Sequence, residues 1–254
     1  MMQAAFAFFV GDHRQMPLTL DRQNAYRARY AVMHPGWQPA TARYEALIRR
    51  TLAAHDHPRL LDLGCGRGGV LEQLADLPDV RPLGLDPDYA SLAEHRLPHL
   101  QRAAATAEAI PLAPASVDVV ISAWVLEHLP DPARTFREIG RVLRPGGAFI
   151  FLAPNRNSPI ALLNRVLRPL QSALVPRLYG RAEADTFPVV YRANTRQQIA
   201  SLARAYGMTL ERFHYVDDPT YLAFNDALFW LSVQAGRLLP ESAAVHIVGL
   251  CRRM

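Results

Sequence analysis

Arg59-Leu60-Leu61-Asp62-Leu63-Gly64-Cys65-Gly66-Arg67-Gly68-Gly69 is the stretch on which the fold turns. A short apolar strand ends in a carboxylate, then bends through glycines toward a helix. Glycine has no Cβ to hold a ligand off and reaches positive φ without strain, so such a bend offers bare backbone. The spacing fits two patterns. Gly64, Gly66 and Gly69 match a dinucleotide-binding turn. Gly64, Gly66 and Gly68, preceded by Asp62, match a turn that holds a nucleoside without phosphates.

Outward from this turn, strands and helices alternate, which predicts a mostly parallel sheet covered on both faces. Helices are expected at Asp21 to Tyr30 and Ala40 to Ala54, split by Pro35-Gly36. Strands are expected at Leu60 to Leu63, Arg81 to Leu85, Gln101 to Ala105, Val117 to Ser122, Ala148 to Ala153, Met208 to Val216 and Ala244 to Leu250. The intervening helices are read at Gly68 to Leu77, Tyr89 to Arg96, Pro132 to Leu143 and Thr195 to Tyr206, with Pro145-Gly146-Gly147 stopping the third of them. Asn194 or Thr195 is the expected cap of the last helix. The domain plan is an N-terminal helical cap over residues 1–54 and a main domain over 55–254. Two inserts, 155–191 and 219–240, exceed what the sheet needs, and substrate specificity is expected there.

Composition bounds the alternatives. The chain has 254 residues, half apolar and a fifth charged, as expected of a globular domain with a sizeable core. Its net charge is +5 and all 28 basic residues are arginine. They are scattered, without a like-charged block or aromatic interleaving, so nucleic acid is not an expected partner. Cys65 and Cys251 lie far apart, which points to neither a disulfide framework nor a zinc site and suits a reducing cytoplasm. Met1 to Val10 is apolar but lacks a basic flank, so no signal peptide is read, and Met16 is an alternative start.

Asp62 separates the two glycine patterns. A pyrophosphate at the turn would be repelled by a carboxylate, whereas a ligand carrying an ammonium and a sulfonium would be attracted. Asp62-Leu63-Gly64-Cys65-Gly66-Arg67-Gly68 resembles the first motif of class I S-adenosylmethionine (SAM)-dependent methyltransferases. Three further segments resemble that family: Ala105 to Leu112, Ser116 to Leu129 and Arg141 to Gly147. Together the four run from about Leu60 to Asn155. The resemblance implies a doubly wound, Rossmann-like α/β sheet of seven strands and SAM as cofactor. The small-molecule enzymes of ubiquinone biosynthesis are similar in this region.

The site follows residue by residue. Asp62, Gly64, Cys65, Gly66 and Gly68 would seat the methionine end of the cofactor. Asp86 ends the second strand, 22 positions past Gly64, where a carboxylate takes both ribose hydroxyls, with Pro87 beside it. Ala107 and Glu108 match the adenine segment; its usual acidic position is Thr106 here. Ser122, at the end of the fourth strand, completes the cofactor set. The N-terminal aromatics Tyr26, Tyr30 and Trp37 either fold over the cofactor or pack onto the core.

Glu127-His128 falls just past the fourth strand, at the rim where open α/β sheets bind ligands. His128 is the candidate catalytic base for a substrate hydroxyl, and the competing reading makes it a structural residue bonded to backbone. Related O-methyltransferases place a third metal ligand three positions before the Glu-His pair. Trp124 stands there, so metal dependence is not expected. Tyr191 and Arg192, closing the first insert, are the candidate substrate-binding residues. Cys65 and His246 read as packing residues, and His214 as packed or exposed.

Ile160, Leu163, Val166, Leu167, Leu170 and Leu174 recur at helical spacing among Arg165, Arg168 and Arg177. Tyr221, Phe224, Leu228, Phe229, Trp230 and Leu231 form a second apolar set. These inserts read as an ordinary lid, as a greasy pocket for a lipid-like or aromatic acceptor, or as a surface resting on a membrane. Oxygen is the first choice of acceptor atom, with nitrogen and carbon open. An NAD(P)-dependent oxidoreductase on a similar sheet is the competing enzyme, though the chain has no lysine for a tyrosine–lysine pair. A SAM-binding module without catalysis is the competing non-enzyme.

Overall fold

The structure, a computed structural model, describes residues 19–77, 79–166 and 189–254. They form two compact units. The larger comprises residues 38–161, 189–217 and 241–254; the smaller comprises 19–37, 162–166 and 218–240.

The larger unit is built on seven strands: β1 (Arg59–Leu63), β2 (Arg81–Asp86), β3 (Gln101–Ala104), β4 (Val117–Ala123), β5 (Leu143–Pro154), β6 (Met208–Val216) and β7 (His246–Arg253). Their order across the sheet is β3-β2-β1-β4-β5-β7-β6. Neighbours from β3 to β5 pair in parallel, and β7 runs antiparallel to both β5 and β6. This is the expected seven-stranded, mostly parallel, Rossmann-like sheet.

The central strands β1, β4 and β5 alternate between two buried faces. Leu61, Leu63, Val120, Phe149 and Phe151 pack one way, against α5 (Pro132–Val142) and α7 (Arg196–Ala205). Leu60, Val119, Ile121, Ile150 and Leu152 pack the other way, against α2 (Ala40–Leu52) and α3 (Val70–Gln73). Such continuous apolar runs are what a sheet covered on both sides requires. The C-terminal strand ends therefore carry the polar exceptions, Asp62, Asp86 and Ser122. α5 starts as its sequence predicts, with the Asp131 carboxylate accepting the Arg134 amide and Pro132 in the first turn. For α7 the cap is Thr195, whose hydroxyl accepts the Gln198 amide. Asn194 instead donates its side-chain amide to the Pro154 carbonyl, 3.0 Å away.

Several boundaries differ from expectation. The helix after the glycine turn stops at Gln73 rather than Leu77. Its cap, Gly69, has no side chain to hold it, and the Gln73 carbonyl is taken by the Arg49 guanidinium. α4 (Tyr89–Ala93) stops short of Arg96 because Arg102 reaches in and bonds the Leu92 carbonyl at 2.8 Å. α5 ends at Val142, and β5 begins at once, running through Pro145-Gly146-Gly147 instead of after it. The extra residues form a bulge: Val117 pairs Leu143, then Val119 pairs Ala148. A Cβ on Gly147 would collide with the Asp118 carbonyl at 2.9 Å. β7 is shifted two to three residues toward the C-terminus of its expected span.

In the smaller unit, α1 (Leu20–Met33), α8 (Asp226–Leu238) and a 3-10 turn (Pro219–Leu222) surround a small core of Tyr26, Ala223, Phe229 and Val233. Tyr26 stacks on Phe229 at 4.7 Å between centroids and donates its hydroxyl to Asp226 at 2.8 Å. Arg27 pairs with Asp218 at 2.9 Å. Arg29 lies over the rings of Trp230 and Phe229. Tyr30 and Trp37 are half-buried, and their rings meet edge-on at 5.0 Å. The second apolar set is thus divided, with Phe229 buried and Leu231 exposed. Ile160, Leu163 and Val166 lie on α6 (Pro159–Val166), while Leu167, Arg168, Leu170, Leu174 and Arg177 fall outside the described residues, as does the N-terminal stretch with Met16. No helix among the described residues is long and apolar enough to cross a membrane.

Candidate functional site

The turn after β1 is held by the next strand. The amides of Gly64 and Cys65 both donate to the Leu85 carbonyl, at 2.7 and 3.1 Å. Gly64, Gly66 and Gly68 all adopt positive φ, +81°, +50° and +123°. A Cβ at Gly64 would run into Val125. Cys65 tucks its Sγ over Gly84, where a Cβ would come within 2.8 Å of it. Burial first, then the charges of Asp62 and Asp86, push this thiol up to about 12, so it is a packing residue and not a nucleophile.

Two acids face this turn. Asp86 is fastened: its Oδ2 accepts the Gly66 amide at 2.9 Å and its Oδ1 the Asp88 amide at 2.8 Å. Each oxygen keeps a second lone pair for a ligand hydroxyl. Asp62 is different. It is buried, and no described residue hydrogen-bonds or ion-pairs its carboxylate. Burial, then the Asp86 charge, raise its pKa to about 7. Arg102, the cation felt at Cys65, is committed to the carbonyls of Leu92, Leu97, Pro98 and Leu100. Two neighbouring carboxylates without a counter-charge make a pocket that favours a cation and disfavours phosphate. Pro87 is exposed at the start of the following turn, where Asp88 caps α4.

The adenine candidates lie on the segment after β3. Thr106 is exposed, Ala107 is buried, and Glu108 keeps one buried carboxylate oxygen, Oε1, without a partner. α5 pins this segment: Arg141 donates to the carbonyls of Ile110 and Leu112, and Glu138 accepts the Ile110 amide. Ser122 is fully buried, and strand alternation puts its side chain on the face of Val120, opposite to Asp62 and Ile121. Its hydroxyl has no hydrogen-bond partner among the described residues. Only its backbone shares the Asp62 face.

Past β4 the chain does something no glycine excuses. Trp124 sits at φ +61° and Tyr191 at φ +53°, both left-handed. The Trp124 amide donates to the Leu152 carbonyl at 2.9 Å, and its ring meets His246 edge-on at 5.1 Å. His246, at the start of β7 opposite Pro154, therefore belongs to this rim as well as to the core. The Glu127 carbonyl accepts the amides of Val190 and Tyr191, at 2.7 and 3.2 Å, which brings Glu127-His128 and Tyr191-Arg192 together. Burial raises the Glu127 carboxyl to about 8, and its Oε2 has no partner. His128 is partly exposed, with Nε2 3.8 Å from Glu127 Oε1. Tyr191 is buried, and Arg192 donates to the Pro130 carbonyl at 2.6 Å. Arg192 also lines a 640 Å³ surface cavity with Asp131, Gln197 and Ser201. No three His, Cys, Asp or Glu side chains converge on a metal position among the described residues.

One residue escaped the sequence reading. Tyr44, on α2, is almost completely buried, with a hydroxyl that has no hydrogen-bond partner beside Asp62 and the Ser122 amide. Ala40, Tyr44, Ile48 and Leu52 share one buried stripe, so in sequence the tyrosine is indistinguishable from a core aromatic.

Comparison with known proteins agrees with this geometry. Residues 61–151 match the family described as "Methyltransferase domain". A probable SAM-dependent methyltransferase of Mycolicibacterium smegmatis is 39% identical over 116 residues, 45% of either chain. A ubiquinone biosynthesis O-methyltransferase of Bordetella bronchiseptica is 33% identical over 159 residues, 59% of this chain and 65% of that one. The chain thus spans about half to two thirds of the length of these relatives. In fold, it is similar to a geranyl diphosphate C-methyltransferase from Streptomyces coelicolor, with a TM-score of 0.59 at 14% identity over 84% of this chain and 76% of that one. Residues 61–151 thus match a methyltransferase domain, and in sheet order and glycine turn the chain is similar to the class I SAM-dependent methyltransferases.

Proposed function

We propose that this protein transfers a methyl group from SAM to a small-molecule acceptor with apolar surface, at oxygen. The observation that carries the reading is the buried Asp62, unpaired among the described residues, beside three left-handed glycines. That seat suits a cationic nucleoside and not a pyrophosphate. SAM, when bound, supplies a methyl group already activated on a sulfonium. The chain has to hold both partners in line and keep water out.

Asp62 and the Gly64–Gly68 backbone bind the methionine end. Asp86 takes the ribose hydroxyls with the lone pairs left over from Gly66 and Asp88. Glu108 offers Oε1 to the adenine amine, and Ala107 gives the ring an apolar edge. At the β4 rim, His128 removes the proton from the acceptor hydroxyl. Glu127, held neutral near pH 7 by burial, leaves the imidazole without an anionic neighbour in the pair. Trp124, Tyr191 and Arg192 shape the acceptor side. The O-methyltransferase relative supports oxygen as the acceptor atom, and the exposed edge of Trp124 supports an apolar acceptor. We place the reaction in the cytoplasm, with the acceptor free or at a membrane surface.

Calorimetry with SAM, S-adenosylhomocysteine, NAD and NADP, followed by transfer from methyl-labelled SAM into a cell extract, tests this. SAM binding with label entering an extractable small molecule is the expected result. NAD binding in preference to SAM sinks the cofactor assignment. Tight SAM binding with no transfer leaves a binding module in place of an enzyme.

A further inference from the structure

Arg43, on α2, carries a guanidinium whose Nε is buried and has no hydrogen-bond partner among the described residues. A buried charged donor left bare is costly, so it calls for an anion supplied from elsewhere. β6 brings two more basic groups to the same side. Arg212 pairs with Leu250 of β7, and His214 with Val248. Val248 and Leu250 belong to the layer of Ile48 and Leu52, the side that α2 covers. Cross-strand partners share a face, and so do residues two apart on one strand. Arg212 and His214 therefore stand on the α2 side of the β6 edge.

Burial first, then the charges of Arg43 and Arg212, hold the His214 imidazole below its ordinary range. No acid on the packed elements offsets the cluster. The acids of α2 and β6 are Glu45 and Glu211, and they are taken by Arg49 at 2.7 Å and Arg252 at 2.9 Å. β7 carries no acid, and Asp217, the residue after β6, has interactions of its own. β6 is the edge strand, separated from β1 by β4, β5 and β7, so the cluster is distinct from the seat at the glycine turn.

Two guanidiniums and an imidazole call for an oxyanion. Guanidinium forks match the oxygens of carboxylate and phosphate alike. Three donor groups suit the terminal oxygens of a phosphate better than the two oxygens of a carboxylate. We propose that Arg43, Arg212 and His214 form an anion site that takes the phosphate group of a ligand on the α2 side of the β6 edge. The site stands independently of the SAM reading.

The test follows the His214 ring signal by NMR as a function of pH, assigned by its loss in His214→Asn. One sample contains inorganic phosphate, the other sodium chloride at equal ionic strength. Phosphate is expected to raise the His214 midpoint by about one pH unit over chloride, because a neighbouring anion favours the charged imidazole. That rise should disappear in Arg43→Gln. Arg212→Gln, at an exposed position of β6, should behave alike and serves where Arg43→Gln fails to fold. Equal midpoints in phosphate and chloride overturn the site, as does a rise that survives both substitutions. Flotation with phosphatidylglycerol vesicles then separates two sources of the phosphate. Flotation that the same substitutions abolish supports the site with a lipid headgroup as its ligand. A phosphate response without such flotation supports it with a soluble phosphate compound.

Discussion

The rims after β1 and after β4 lie side by side at the ends of neighbouring parallel strands, each carrying a buried acid, and they are built on different physics. At the β1 rim, positive φ falls on Gly64, Gly66 and Gly68, where it is nearly free. At the β4 rim it falls on Trp124, and in the segment bonded to that rim on Tyr191, where the left-handed conformation costs about 1–2 kcal/mol per residue. Asp62 stands beside another carboxylate with nothing to balance it. Glu127 is raised by burial, and its own backbone carbonyl is what joins two segments. The β1 rim is a cheap, general seat for one kind of cation. The β4 rim stores strain in large side chains, as a surface selected for a particular partner would.

Replacing Asp62 by Asn breaks the comparison most sharply. The change is nearly isosteric and deletes the uncompensated charge. Removing one side of a buried charge pair costs 2–5 kcal/mol, so SAM affinity should fall by about 100-fold or more. In the absence of ligand the same variant should melt higher at pH 8, since a strained carboxylate is gone. Calorimetry and a thermal melt on one sample read both signs. A variant that binds SAM as well as the wild type would show that the glycine backbone alone suffices.

The β4 rim should respond in turnover instead of cofactor affinity. With His128→Asn, kcat is expected to fall by roughly 100-fold, within the range for loss of a general base, while the SAM dissociation constant stays within twofold. Rescue of the rate at high pH, where the acceptor ionises unaided, would identify the lost function as proton removal. An unchanged kcat returns His128 to a structural role. A smaller effect is expected for Trp124→Gly. Glycine relieves the left-handed strain but removes the indole that meets His246, so stability should stay within about 1 kcal/mol. The kcat/KM for the acceptor should drop by about tenfold with SAM affinity intact. A parallel loss of SAM affinity would mean that the two rims are not separable.

The difference between the rims also explains what could be read from sequence. The β1 rim was legible because glycine and aspartate at fixed spacing each have one dominant physical meaning. The sheet was legible because runs such as Val119-Val120-Ile121 alternate between two apolar faces, with the polar residues of that strand, Asp118 and Ser122, on either side of the run. Helix ends were not, because distant side chains set them: Arg49 caps the carbonyl of Gln73, and Arg102 that of Leu92. Nor does a sequence mark a tryptophan that will sit at φ +61°, since no local rule places large residues there. Tyr44 was hidden for the opposite reason, because it obeys the apolar pattern of α2 in every respect except its oxygen.

The smallest expected effect concerns Glu127, and it is electrostatic alone. An unfolded glutamate titrates near 4.5, whereas the folded one is pushed up to about 8. Between those values the native state holds a proton that the unfolded state has released. Stability therefore falls as pH rises through that window and levels off above it. Asp62 acts in the same direction over a lower window, from 3.8 to about 7. Glu127→Gln keeps the shape and removes the titration, so the variant should follow the wild type near pH 4 and exceed it by pH 8. Interior screening reduces the nominal shift to roughly 1–2 kcal/mol, about 3–6 °C in melting temperature for a chain of this size. Asp62 titrates alike in both proteins, so the difference in slope between wild type and variant from pH 7 to 8 belongs to Glu127. Parallel wild-type and variant curves across that interval would mean that Glu127 is ionised and paired in solution, and the contrast between the two rims would then rest on backbone strain alone.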